Sequence, residues 1–171
     1  MANINLSTKP QITINLEPLH EAYCRYILKT PEKQKEIIVC RKHDVGKLIH
    51  SNVITSDLPV RRPFISHPVT FILPINKVNH HSVSNHFLAV SRWGEQKIQD
   101  GIDYEYRKWV ERKFEAGYKN KFTQKEIIEA ILRALNVRNN AANFDAVKKI
   151  DYRNRRKAEE KRFETLLVVD W

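Results

Sequence analysis

The feature that most constrains this chain is a change of hydrophobic period near Val78. Before it, apolar residues alternate or run in short β-branched clusters; after it, they recur close to every 3.6 residues, the repeat of an amphipathic helix. A chain written in two periods predicts an α+β protein, with a small three-stranded N-terminal unit packed on a long helix and a helical pair at the C-terminus. At 171 residues the length suits one domain with an appended element. The expected organisation is a flexible arm over 1–10, a small mixed α/β unit over 11–78, and a helical region over 79–171 that ends in a basic helix.

In the first half, residues 11–17 place Ile12, Ile14 and Leu16 on one face of a strand. Pro18 suits the first turn of a helix, where its missing N–H would have no partner anyway, and Leu19, Tyr23, Tyr26 and Ile27 follow at helical spacing. The β-branched run 36–41 reads as a second strand. Asp44 reads as the cap of a short helix carrying Val45, Leu48 and Ile49 as far as Ser51. Pro59, Pro63 and Pro68, with Arg61 and Arg62 among them, predict an exposed loop over 55–68. A third strand begins at Val69 and stops at Pro74, because proline cannot donate to a ladder.

In the second half, Val83, Phe87, Val90, Ile98, Ile102, Tyr106, Trp109, Val110 and Phe114 form one stripe between Ser82 and Tyr118. One long helix satisfies it, and so do two helices broken near Gly94 or Gly101, with Gly117 as a C-terminal stop. Thr123 and Glu126 have the spacing of a capping box, in which hydroxyl and carboxylate each satisfy a backbone N–H. The helix they open runs to Leu135 and buries Ile127, Ile128 and Ile131. Residues 136–140 are rich in Asn, which tolerates left-handed backbone and caps a new helix. The last helix is expected from Ala141 to Phe163, and the apolar tail from Leu166 to Trp171 is expected to pack against something.

Charge decides which partners to consider. Thirty Lys and Arg stand against twenty Asp and Glu, a net charge of +10, which favours a polyanionic partner. Residues 148–162 hold eight basic and three acidic side chains, so half of the excess lies there. On a helix, Phe144, Val147, Ile150 and Ala158 share one side, while Lys149, Arg153, Arg156 and Lys157 fall opposite. A capped helix, an Asn-rich turn and a basic helix trace the outline of a helix-turn-helix, with 123–135 supporting and 140–157 recognising; two antiparallel helices of a bundle have the same outline. Recognition helices present their first turns to bases, yet here these hold Ala141, Ala142, Asn143 and Asp145. That favours a helix lying along the phosphate backbone.

The expected function is therefore non-catalytic binding of double-stranded DNA. Lys148, Lys149, Arg153, Arg155, Arg156 and Lys157 would meet phosphates, and Tyr152 and Asn154 would reach base edges. Six such contacts give a slope of log affinity on log salt of about −5. The rival reading is a structural or oligomeric interaction protein that associates through the 82–118 region by Trp93, Trp109 and Phe114. Its basic face would neutralise nucleic acid or bind acidic partners.

Other chemistries find little support. Cys24 and Cys40 lack metal or redox spacing and read as reduced, semi-buried thiols. His80, His81 and His86 cluster, but no carboxylate or thiol stands at ligand spacing, so a metal-dependent nuclease is a minor reading. Phosphate-cradling and nucleophile-elbow motifs are missing, and no cofactor or metal is expected. With no apolar run of about 18 residues and no leader-like start, the chain reads as cytoplasmic, away from membranes.

The order Thr70 to Pro74, helix 82–118, capped helix 123–135 and a Tyr-Arg-rich helix containing residues 151–156 resembles a group of small, basic, largely uncharacterised proteins of Bacteroidetes-type bacteriophages and mobile elements. The resemblance covers roughly residues 69–162. It implies a phage or mobile-element setting with DNA binding, and it carries no catalytic residue over.

Overall fold

A computed structural model describes residues 10–31, 33–58, 66–75 and 86–168, the side chains of 166–168 excepted. The architecture is α+β: a small three-stranded sheet near the N-terminus, a long helix packed on it, and two C-terminal helices. The chain divides into two compact units, Met1–Tyr104 and Glu105–Trp171, and the division falls inside the long helix.

In the first unit, β1 (Gln11–Asn15), β2 (Ile37–Ile38) and β4 (Pro68–Ile72) form a sheet of order β1-β4-β2. The central β4 pairs antiparallel with β1, setting Ile12 opposite Phe71, and parallel with β2, setting Ile37 opposite Phe71. Alternation works as expected, since Ile12, Ile14, Val69 and Phe71 are all buried on one side. The second strand is much shorter than 36–41: Ile37 and Ile38 form the ladder with β4, and Val39 adds one bond from its N–H to the Ile72 carbonyl at 2.9 Å. Helix α1 (Pro18–Ile27) carries Pro18 in its first turn and buries Tyr23 and Cys24, while Tyr26, expected on the apolar face, is exposed. Helix α2 (Asp44–Ser51) buries Val45 and Ile49, but its N-cap is His43. Asp44 lies inside the helix and pairs with Lys47 Nζ at 2.8 Å, so it does not cap.

A two-stranded antiparallel sheet of β3 (Val53–Ser56) and β5 (Phe87–Val90) corrects two expectations. Residues 55 and 56 are strand and not part of the loop that the prolines predict, and 87–90 are strand and not part of the helix that the stripe predicts. Four consecutive apolar residues fit a strand as well as a helix, and pairing with β3 decides between them.

Helix α3 (Arg92–Lys119) follows, 28 residues without a break. Its N-terminal half covers the sheet: Ile98 and Ile102 are fully buried, Glu95 Oε1 accepts from the Asn15 N–H at 2.8 Å, and Gln99 Nε2 donates to the Asn15 carbonyl at 2.6 Å. Neither Gly94 nor Gly101 interrupts it, and Gly117 does not end it. Gly101 and Gly117 serve close approach, since a Cβ at Gly101 would collide with Leu48 and one at Gly117 would meet the Ile127 side chain at 2.5 Å.

In the second unit, the rest of α3 packs with α4 (Gln124–Ala134) and α5 (Ala141–Val168). The core contains Val110, Phe114, Ile127, Ile128, Ile131, Leu132, Leu135 and Val147. Both sequence signals for the helix boundaries are realised. The Glu126 N–H donates to Thr123 Oγ1 and the Thr123 N–H to Glu126 Oε2, which completes the capping box. Asn136 takes positive φ, and Asn140 Oδ1 accepts from the Asn143 N–H at the start of α5.

The expectations for residues 1–9, for the loop with Arg61 and Arg62, for His80, His81 and Val83, and for the end of the tail at 169–171 lie outside the described residues.

Candidate nucleic-acid interface

Helix α5 carries every residue expected to touch DNA, and its packing sorts them. Val147 and Asp151 face the core, and Phe144, Ile150 and Asn154 lie half-buried beside them. Lys148, Lys149, Tyr152, Arg153, Arg155, Arg156 and Lys157 are exposed. The 3.6-residue repeat therefore separates an anchored side from a basic one, as the spacing predicts. Ala158 departs from it: expected on the anchored side, it is exposed, because from Arg155 to Thr165 the helix is exposed on every face. Nothing in the described part of the unit reaches that far along α5, so the apolar spacing there has no core to meet.

The cations differ in what they are already doing. Asp151, only 3% exposed, accepts from Tyr118 Oη at 2.8 Å and from Gln124 Nε2 at 2.6 Å, and pairs with Arg155 at 3.1 Å. One carboxylate thus ties α5 to α3 and α4. Arg155 also donates to the Tyr118 hydroxyl and lies 4.6 Å above that ring. Burial and the bond to Asp151 raise the Tyr118 phenol above its ordinary value. The Tyr118 bond, followed by Asp151, holds the Arg155 guanidinium above its own, against a partial desolvation. Arg156 pairs with Glu160 one turn on at 2.9 Å, and that bond raises its pKa.

Lys148, Lys149, Arg153 and Lys157 have no ion-pair partner among the described residues, and Lys161 and Arg162 continue the free positive charge. The first four span about 14 Å of helix. The sequence expectation therefore splits: four of its six phosphate-binding candidates have no ion-pair partner among the described residues, Arg155 is built into the fold and Arg156 shares its charge with Glu160. Lys161 and Arg162, outside those six candidates, belong to the same run. Tyr118 and Gln124 carry no signal in the sequence, since nothing in it shows that a carboxylate on α5 will be buried against them.

Of the aromatic residues expected at an oligomer interface, Trp109 and Phe114 are buried within the chain, and Trp93 is 71% exposed with Lys97 Nζ 3.6 Å from its ring centroid. His86 Nε2 lies 3.5 Å from Asp57 Oδ1, and no group of three or more His, Cys, Asp or Glu among the described residues is placed to hold a metal. Cys24 and Cys40 are free; Cys24 is fully buried, which pushes its thiol far above the ordinary value. Among the described residues, no helix is long and apolar enough to cross a membrane. No family model matches the chain, and neither a curated protein nor a solved structure matches it significantly.

Proposed function

We propose that this protein binds double-stranded DNA without catalysis, through the basic side of α5, in the setting of a phage or mobile element. The observation that carries the reading is the row of Lys148, Lys149, Arg153 and Lys157, exposed over more than two turns and free of carboxylate partners among the described residues. The side of α5 opposite Val147 and Asp151 carries these four cations and Arg156 against exposed Asp145 and Glu160, so positive charge predominates there. Cations so placed follow a phosphate backbone and supply affinity independent of sequence. Tyr152, exposed between Lys148 and Arg156, is the group best placed for a base contact, and half-buried Asn154 is less accessible than its type suggests.

The row begins two turns into α5, which suits a helix lying along the backbone and disfavours insertion of its first turn into the major groove. Lys149→Glu with Arg153→Glu tests the reading by mobility shift of a duplex at about 50 mM salt. Loss of the shifted band, with far-UV circular dichroism unchanged, is expected; a double variant that shifts DNA like the wild type overturns it.

A further inference from the structure

The turn that joins α3 to α4 lies against the middle of α5, and one carboxylate holds both of its ends there. Tyr118 Oη, in the last turn of α3, donates to Asp151 Oδ2 at 2.8 Å, and Gln124 Nε2, in the first turn of α4, donates to the same oxygen at 2.6 Å. Between them, the Lys121 N–H donates to the Tyr118 carbonyl at 2.9 Å and the Phe122 N–H to the Gly117 carbonyl at 3.0 Å. These are the two bonds of a Schellman stop, and Lys121 takes its left-handed position, with φ 63°. Lys119 and Lys121 are exposed, and neither has an ion-pair partner among the described residues.

This turn extends the basic side of α5. At 100° per residue Tyr152 and Arg155 fall within about 60° of each other on one flank of that helix. Arg155 rests on the Tyr118 ring, so the flank adjoins the end of α3. Lys149 and Arg153 lie farther round. The surface therefore runs from the turn, over Arg155 and Tyr152, to the α5 row. No carboxylate occurs in residues 119–125, and the only one in 148–157 is the buried Asp151. Glu126, just past the turn, has its carboxylate bound by the N–H and hydroxyl of Thr123. A helix is about 10–12 Å across with its side chains, so cations on both sides of α5 reach phosphates that one row alone leaves untouched.

We propose that Lys119 and Lys121 make a second set of phosphate contacts to the duplex, on the other side of α5 from Lys149 and Arg153; this rests on the reading of α5 as the DNA-binding helix. Two added contacts steepen the dependence of log affinity on log salt by about 2. A lysine at a helix C-terminus also suits the helix dipole, and a role confined to the dipole leaves DNA binding untouched.

Anisotropy of a labelled duplex of about 20 base pairs, followed across salt, reads these contacts. Lys119→Gln with Lys121→Gly is expected to make the slope shallower by about 2. In urea the same variant is expected to keep or exceed the wild-type midpoint, because glycine relieves the left-handed position. Lys121→Arg, which keeps the charge there, is expected to keep the wild-type slope. A double variant with the wild-type slope, or a Lys121→Arg variant that loses as much as Lys121→Gly, overturns the proposal. If Lys149→Glu with Arg153→Glu weakens binding and the turn variant does not, the turn contact alone falls. A wild type that does not bind the duplex removes the reading of α5 and the turn contact together.

Discussion

Replacing Asp151 with Ala should cost the second unit about 2–3 kcal/mol. The carboxylate accepts one bond from α3, through Tyr118, and one from α4, through Gln124, at 2.8 and 2.6 Å. A hydrogen bond to a charged group contributes roughly 1.5–3 kcal/mol, so the two together reach about 3–6 kcal/mol before any relief. Both donors are only part-buried, and water can replace some of what they lose. The Arg155 pair adds little, because that side chain is half exposed and solvent screens it. Asp151→Asn keeps the size and one acceptor, and should cost about half as much. Urea unfolding followed by circular dichroism and tryptophan fluorescence measures both, with a lower midpoint and an unchanged slope expected. An Ala variant within about 0.5 kcal/mol of wild type, or an Asn variant as damaging as Ala, would refute the view that this carboxylate holds the three helices together.

Other substitutions address separate links. Thr123→Ala should destabilise by about 1 kcal/mol in the same urea assay, since Thr123 Oγ1 no longer accepts the Glu126 N–H. Bonds from the Thr123 hydroxyl and N–H hold the Glu126 carboxyl below its ordinary value. Its contribution is therefore present above about pH 4.5 and fades as the pH falls through the folded value, so Glu126→Ala should flatten the acid limb of a stability–pH curve. Gly46→Ala should cost about 2 kcal/mol or more and exceed Gly117→Ala, because its Cβ would collide with the Cys40 backbone carbonyl, whereas at Gly117 a side-chain end can give way. Mass spectrometry after brief iodoacetamide treatment should find Cys40 modified in the native protein and Cys24 modified only in urea.

The sequence is most informative where local chemistry decides. Alternation in β1 and β4, Pro18 in the first turn of α1, the capping box at Thr123 and the Asn turn before α5 each follow from a few adjacent residues. Long-range pairing decides the rest. Residues 87–90 become strand because β3 offers them an edge, and Gly101 and Gly117 stay helical because Leu48 and Ile127 need the room. At the site, the basic side of α5 is legible from its period, whereas the division of its cations between free and engaged is not. Asp151 reads as one more charge in a basic run until Tyr118 and Gln124 close around it. Ala158 shows the complementary limit, since its apolar spacing continues past the end of any core.

The salt dependence of duplex binding tests the central claim most directly, measured by fluorescence anisotropy on a labelled duplex of about 20 base pairs. The four α5 cations without an ion-pair partner among the described residues alone predict a slope of log affinity on log salt of about −4, smaller than the −5 or so of six contacts, because Arg155 and Arg156 are engaged within the chain. Reversing Lys149 and Arg153 should bring that contribution to about −2 or nearer zero. A slope near zero in the wild type, or one that the double reversal leaves unchanged, would contradict the claim that this face of α5 holds DNA.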